Sequence, residues 1–129
     1  MAQIINLTPH SICIVNPACV RFDTTIRKNV CDGEPDIVAM ILSSGIVSAK
    51  INTVSIDPIN GVPTFAKSVV GCDDLPDADE DDIFVVSALY VSAYRTVHGN
   101  TNRLYTIADP VYTPDGKKVI GSMGICPAF

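Results

Sequence analysis

Ile83-Phe84-Val85-Val86-Ser87-Ala88-Leu89-Tyr90-Val91-Ser92-Ala93-Tyr94-Arg95 is the stretch whose reading decides the fold. Its first positions are β-branched or aromatic and carry no charge, the composition of a buried strand. From Ala88 the composition turns helical. Ser87 stands at the junction, where its hydroxyl can accept from the free amides of a first helical turn. A strand that runs directly into a short helix is therefore expected, and it places one helix in a chain otherwise patterned for strands.

Towards the C-terminus, Gly99-Asn100-Thr101-Asn102 reads as a loop. Strands follow over 104–108, 111–113 and 118–120, the last two joined by a Pro114-Asp115-Gly116-Lys117 turn. Towards the N-terminus, Asn60-Gly61 is a strong hairpin signal between a period-two strand running from 46 to about 56 and a strand over 62–70. The run Ile37-Val38-Ala39-Met40-Ile41-Leu42 fits either a short helix capped by Asp36 or a buried strand, and periodicity does not choose between them. Residues 31–35 read as a loop, 20–26 as a strand, and Asn16-Pro17 as a turn. Segments 4–7 and 11–15 are strands broken by Thr8-Pro9-His10, with Pro9 excluded from a central ladder. The expected fold is α+β and mainly β. It is a compact antiparallel or mixed sheet with one or two short helices, forming a single domain over residues 1–129 with an acidic loop at 73–82.

A chain of 129 residues buries a sizeable core without disulfide or metal staples. Apolar residues make up 47% and charged residues 18%, against roughly 25% charged in an average soluble protein. Apolar surface covered by a second copy is the physical consequence, so a homo-oligomer is expected. No apolar run reaches the length of a membrane span. The start lacks a basic n-region, and Pro9 and His10 interrupt any signal-peptide core, so export is not expected. The five cysteines are odd in number, contain no C-x-x-C pair and have two histidines to help them, which argues against structural zinc. Free thiols in a reducing compartment are expected, with no metal and no cofactor.

Charge is unevenly placed. The net is −5, yet the segment Asp73-Asp74-Leu75-Pro76-Asp77-Ala78-Asp79-Glu80-Asp81-Asp82 carries −7, leaving the rest of the chain at +2. That loop reads either as a solvated connection or as a mimic of nucleic-acid phosphates, with Asp77, Asp79, Glu80 and Asp81 as the partner-binding residues. His10 is the one candidate general base, but no acid stands beside it and no G-x-S-x-G elbow offers a nucleophile. No catalytic residue is assigned. Gly121-Ser122-Met123-Gly124 could bring amides to a phosphate, although a bulged terminal strand explains it more simply. Arg95, Asn102 and Arg103 bracket the loop after the helix, beside Tyr94 and Tyr105, and could grip a phosphorylated, base-bearing ligand.

The motif Asn6-Leu7-Thr8-Pro9-His10 leads a series that continues through Ser44-Gly45, Gly61-Val62-Pro63 and Leu75-Pro76. Val85-Val86-Ser87-Ala88-Leu89, Asp109-Pro110-Val111, Asp115-Gly116 and Ile120-Gly121 with Gly124 complete it. In their order and spacing these resemble a family of small phage and prophage proteins that open with N-L-T-P-H. The match is poorest over 20–40, and a Cys usual near position 122 is Ser here. The resemblance implies a setting in the cytoplasm of an infected bacterium and a part in countering its immunity. It implies one of two modes, sequestration of a nucleotide-derived signal or blockade of a bacterial effector protein. The first expectation is a binding protein for a small phosphorylated ligand, contacted by His10, Arg95, Asn102 and Arg103, with no direct nucleic-acid binding. The second is a protein–protein inhibitor acting through the acidic loop on a basic nucleic-acid-binding surface. The third is a small nucleotide-acting hydrolase using His10.

Overall fold

The computed structural model of the chain describes residues 2–129. In chain order the elements are β1 (Ile4–Asn6), β2 (Ile12–Val15), a 3-10 turn (Pro17–Cys19), β3 (Val20–Asp23), β4 (Lys28–Cys31) and β5 (Ile37–Ile41). They continue with β6 (Ala49–Ile59), β7 (Val62–Cys72), β8 (Ile83–Val85), α1 (Ala88–His98), β9 (Leu104–Tyr112) and β10 (Val119–Pro127). The mainly β, α+β reading holds. Among the described residues no helix is long and apolar enough to cross a membrane.

The strand-to-helix junction organises the core. The Ser87 hydroxyl accepts from the Tyr90 amide at 3.2 Å, and Gly99 ends α1 at φ 85 with its amide on the Arg95 carbonyl. Parallel neighbours need a long crossover, and α1 supplies it between β8 and β9, which pair Phe84 with Leu104 and Val85 with Tyr105. Tyr90 and Val91 of α1 pack with Leu7, Phe84, Val86 and Leu104 in one buried cluster. A smaller cluster joins Val15, Cys31 and Val111.

The main sheet runs β1-β8-β9-β10-β2-β5, with the β3–β4 hairpin attached through β4 to the C-terminal half of β9. It nearly closes into a barrel. Asn6 bridges to Ser43 just after β5, and the Ser44 amide reaches the Asn6 carbonyl at 2.8 Å. The Asn6 side chain, fully buried, holds this seam. Its amide donates to the carbonyls of His10 and Ile41, while its oxygen accepts from the amide and hydroxyl of Thr8. The N-L-T-P-H motif is thus a barrel-closing turn.

Four local expectations are refined. Residues 37–41 form a strand, because β2 pairs antiparallel with them from Ile12–Ile41 to Val15–Ile37, and the helical alternative falls. Lys28–Cys31 is a strand that local composition did not reveal, since its partners β3 and β9 lie elsewhere in the chain. The two strands expected over 104–113 are one, and Pro110 is tolerated where β9 lacks a neighbour on one edge, between the end of β8 pairing at Tyr105 and the start of β4 pairing at Val111. The last strand extends to Pro127 with a register shift between Val119 and Gly121. A side chain at Gly121 would come within 2.6 Å of Val15 Cγ2 and 2.8 Å of the Cys13 carbonyl oxygen, so close strand packing explains that glycine.

The strands β6 and β7 form a separate two-stranded ribbon around Asn60 and Gly61, both at positive φ. Its base packs on α1. Its outer length is exposed on both faces.

Candidate functional site

The structure divides the expected ligand residues between two ends of the sheet. Arg103 lies at the start of β9, where its Nε donates to the Asp82 carbonyl at 3.1 Å and its Nη2 to the Asp79 carbonyl at 2.8 Å. Its guanidinium also stacks over Phe84, 4.9 Å from the ring centroid. Arg95 is exposed near the end of α1 with its guanidinium over Phe129, and Asn102 is exposed in the following turn. His10 lies elsewhere. It lines a largely apolar cavity of about 470 Å³ that meets β9 at Ile107 and Pro110. Those positions are roughly 13 Å or more along the strand from Arg103, at 3.3 Å per residue.

Within the His10 cavity no carboxylate stands among the described lining residues. Ser122, which also lines it, is buried, with its hydroxyl placed between the carbonyls of Ala108 and Gly124. The same oxygen accepts from the Gly124 amide at 3.0 Å, so the serine is spent within the β9–β10 ladder just past the register shift between Val119 and Gly121.

The acidic loop ends in an anchored turn. Asp82 is buried and accepts from the Gln3 amide at 2.9 Å on one oxygen and the Asp79 amide at 3.1 Å on the other. Arg103 clamps the two carbonyls of the same turn. At the loop's other end, Asp73 accepts from the Ser48 amide at 2.9 Å, and its carbonyl accepts from the Tyr90 hydroxyl at 2.6 Å. Burial pushes that tyrosine's pKa well above the ordinary range, so the hydroxyl stays a donor. Asp77, Asp79, Glu80 and Asp81 are exposed between these anchors.

A second cleft, of about 370 Å³, brings cationic, amide and aromatic side chains together with one carboxylate. Phe22, Arg27, Lys28, Asn29, Asp109 and Tyr112 line it, with Pro110. Its walls come from the β3–β4 hairpin and β9, which β4–β9 pairing brings together. The turn over 24–27 is built by Asp23, whose Oδ1 accepts from the Thr25 amide at 2.9 Å and the Ile26 amide at 3.3 Å. These bonds, the Ile26 amide first, hold the Asp23 carboxyl below the usual carboxylate range. Arg27 takes φ 56 to complete the turn. Lys28 Nζ lies 4.4 Å from the Tyr112 ring centroid and donates to the Gly116 carbonyl at 3.0 Å.

Gly116 belongs to the turn between β9 and β10, and it abuts Ile26 and Lys28. Asp115 shapes that turn, accepting from the Thr113 hydroxyl and from the Lys117 amide at 3.0 Å, which depresses its pKa in that order of cause. Arg27, Lys28, Lys117 and Lys118 therefore share one end of the molecule, four of the nine Lys and Arg. Asp23, Asp109 and Asp115 stand among them, so the field there is mixed, with a small positive excess. Arg27-Lys28 and Lys117-Lys118 are the chain's two adjacent basic pairs. That was a sequence signal, but nothing local joins two pairs ninety residues apart. No family model, curated protein or solved structure matches the chain.

Proposed function

We propose that the chain is a binding protein that holds a small phosphorylated, base-bearing ligand in the cleft between the β3–β4 hairpin and β9. In the bacterial setting that the N-L-T-P-H resemblance implies, the ligand class is a nucleotide-derived immune signal, and holding it counters defence. The observation that carries this reading is the convergence of Arg27, Lys28 and Asn29 with the rings of Phe22 and Tyr112 in one cleft of ligand size. The Arg27 guanidinium complements phosphate oxygens, the Asn29 amide reads a base edge and the exposed Phe22 ring offers a stacking face, while Lys28 holds the Gly116 carbonyl and lies over Tyr112, adding positive charge to the wall. Sequestration requires affinity and no bond breaking. The contacts move from His10, Arg95, Asn102 and Arg103 to this cleft, because Arg103 is committed to the acidic turn and His10 lies in a separate, apolar cavity.

Isothermal titration against cyclic and ADP-ribose-type nucleotides, with unphosphorylated nucleosides as controls, tests the proposal. We expect heat with a phosphorylated compound and an affinity loss of about 10- to 100-fold in Arg27→Ala, the worth of one charge-assisted hydrogen bond. Absence of heat with every compound removes the reading. Conversion of the compound over many turnovers transfers it to a hydrolase.

One observation favours a second reading. The anchors at Asp82 and Arg103 present Asp77, Asp79, Glu80 and Asp81 from a defined turn, as a protein inhibitor of a basic surface requires. Inhibition of such a partner should weaken and lose salt sensitivity when these four become Asn or Gln. Undiminished inhibition excludes it.

A further inference from the structure

The ribbon of β6 and β7 is unlike the rest of the molecule. In an antiparallel ladder, residues directly opposite each other point to the same face. Ile51–Val69, Thr53–Lys67 and Ser55–Phe65 mark one face, and Val54–Ala66 and Ile56–Thr64 mark the other. Val62 lies two residues before Thr64 and joins that second face together with its partner Ile59. On it Val54, Ile56, Ile59 and Val62 are exposed by 46% to 63%, and their paired neighbours Asn52, Thr64, Ala66 and Ser68 carry no charge, while Asp57 falls in the register shift between Ile56 and Ile59 and has no ladder partner.

Two physical arguments say that this face is covered. A two-stranded ribbon is marginal in water without a third layer or strand. Here only the base has one, against α1. The second argument is area. A compact monomer of 13.8 kDa exposes about 6,600 Å² by the scaling of surface with mass, whereas this chain exposes 8315 Å². The excess of about 1,700 Å² belongs to the whole chain, the ribbon included, and exceeds the roughly 800 Å² that each partner contributes to a standard stable interface. The covering surface is also constrained in character. In a two-fold contact the same patch faces itself, residue i against residue j and j against i, so a patch with charge of one sign would repel its copy and an uncharged apolar patch is self-complementary. The ladder-paired residues of this face, Val54, Ile56, Ile59, Val62, Thr64 and Ala66, carry none.

We propose that the uncharged face of the β6–β7 ribbon packs against the same face of a second copy of this chain, making the ribbon a dimerisation arm. The inference is independent of the ligand cleft, which lies on β3, β4 and β9.

Light scattering on the full chain reads the mass directly. Twice 13.8 kDa, or an even multiple of it, is the expected result, and a monomer or an odd multiple at about 100 µM overturns the proposal. The double variant V54K/I56K places like charges opposite each other and should shift the mass to that of a monomer with an unchanged circular dichroism spectrum. Thr53→Lys, one position away on the other face, should retain the wild-type mass, and its dissociation overturns the assignment of the face. Should V54K/I56K fail to fold, the wild-type melting curve decides. A dimer's Tm rises with protein concentration between about 1 and about 100 µM, and a constant Tm refutes the arm.

Discussion

Asn6 shows how one side chain accounts for a whole motif. Its four hydrogen bonds tie the end of β1 to the turn at His10 and to the end of β5, all from a fully buried position. Asn6→Ala takes a donor from the Ile41 carbonyl and the acceptor from the Thr8 amide, while the His10 carbonyl keeps the Thr8 hydroxyl, and should cost about 1–3 kcal/mol by the usual penalty for buried unsatisfied groups. Urea denaturation with an unchanged m-value is the measurement, and a loss below about 1 kcal/mol would show that water replaces the side chain at the seam. Cys31 illustrates the opposite case, a reactive type made inert. It is buried, and burial is the leading reason its thiol pKa is raised. The sequence places Asn6 at the end of a strand and Cys31 in a polar loop, because the partners that bury them, Ile41 for Asn6 and Val111 for Cys31, are long-range.

At the scale of elements, the turn after β3 and the turn after β9 share a design in which an aspartate accepts from the amides it encloses. The carboxyls of Asp23 and Asp115 are depressed below the ordinary value of 3.8. A carboxyl depressed in the folded state stabilises it fully above the unfolded value, and that contribution is lost as pH falls through the lower, folded value. The denaturation midpoint should therefore decline on acidification below about pH 4, and Asp23→Asn with Asp115→Asn should remove part of that decline. An acid limb identical in the double variant would assign the decline to other groups. Elements with local signatures were legible: the Ser87 cap and α1, the Asn60-Gly61 hairpin, the strand on each side of Pro9. Strand β5 was ambiguous and β4 invisible, because a strand's stability lies in its cross-strand partners and not in its own dihedral preferences.

For the whole molecule, the β6–β7 ribbon is a sheet of its own and the cleft lies on the nearly closed main sheet, so the two are separable. Replacing residues 53–67 by Asn-Gly joins Asn52 to its ladder partner Ser68 through a two-residue turn and keeps the register of the base. This trimmed chain should fold, run as a monomer and bind in the cleft with wild-type affinity by titration. A chain that dimerises without its ribbon would place the interface elsewhere, and one that folds yet loses its ligand would make the arm part of the site.

Composition and local pattern by themselves determined that this is a mainly β chain with one capped helix, a tight hairpin, an acidic loop and too little charge for its apolar content. Those properties are written in neighbouring residues, where capping, turn chemistry and alternation act. Only the tertiary structure decided that Asn6 ties the two edges of a nearly closed sheet, that Arg103 serves the acidic turn, and that the turn at Gly116 abuts Ile26 and Lys28 ninety residues away. Each depends on which strands lie side by side. Register and closure come from the summed packing of distant faces, a quantity that no short window of sequence contains.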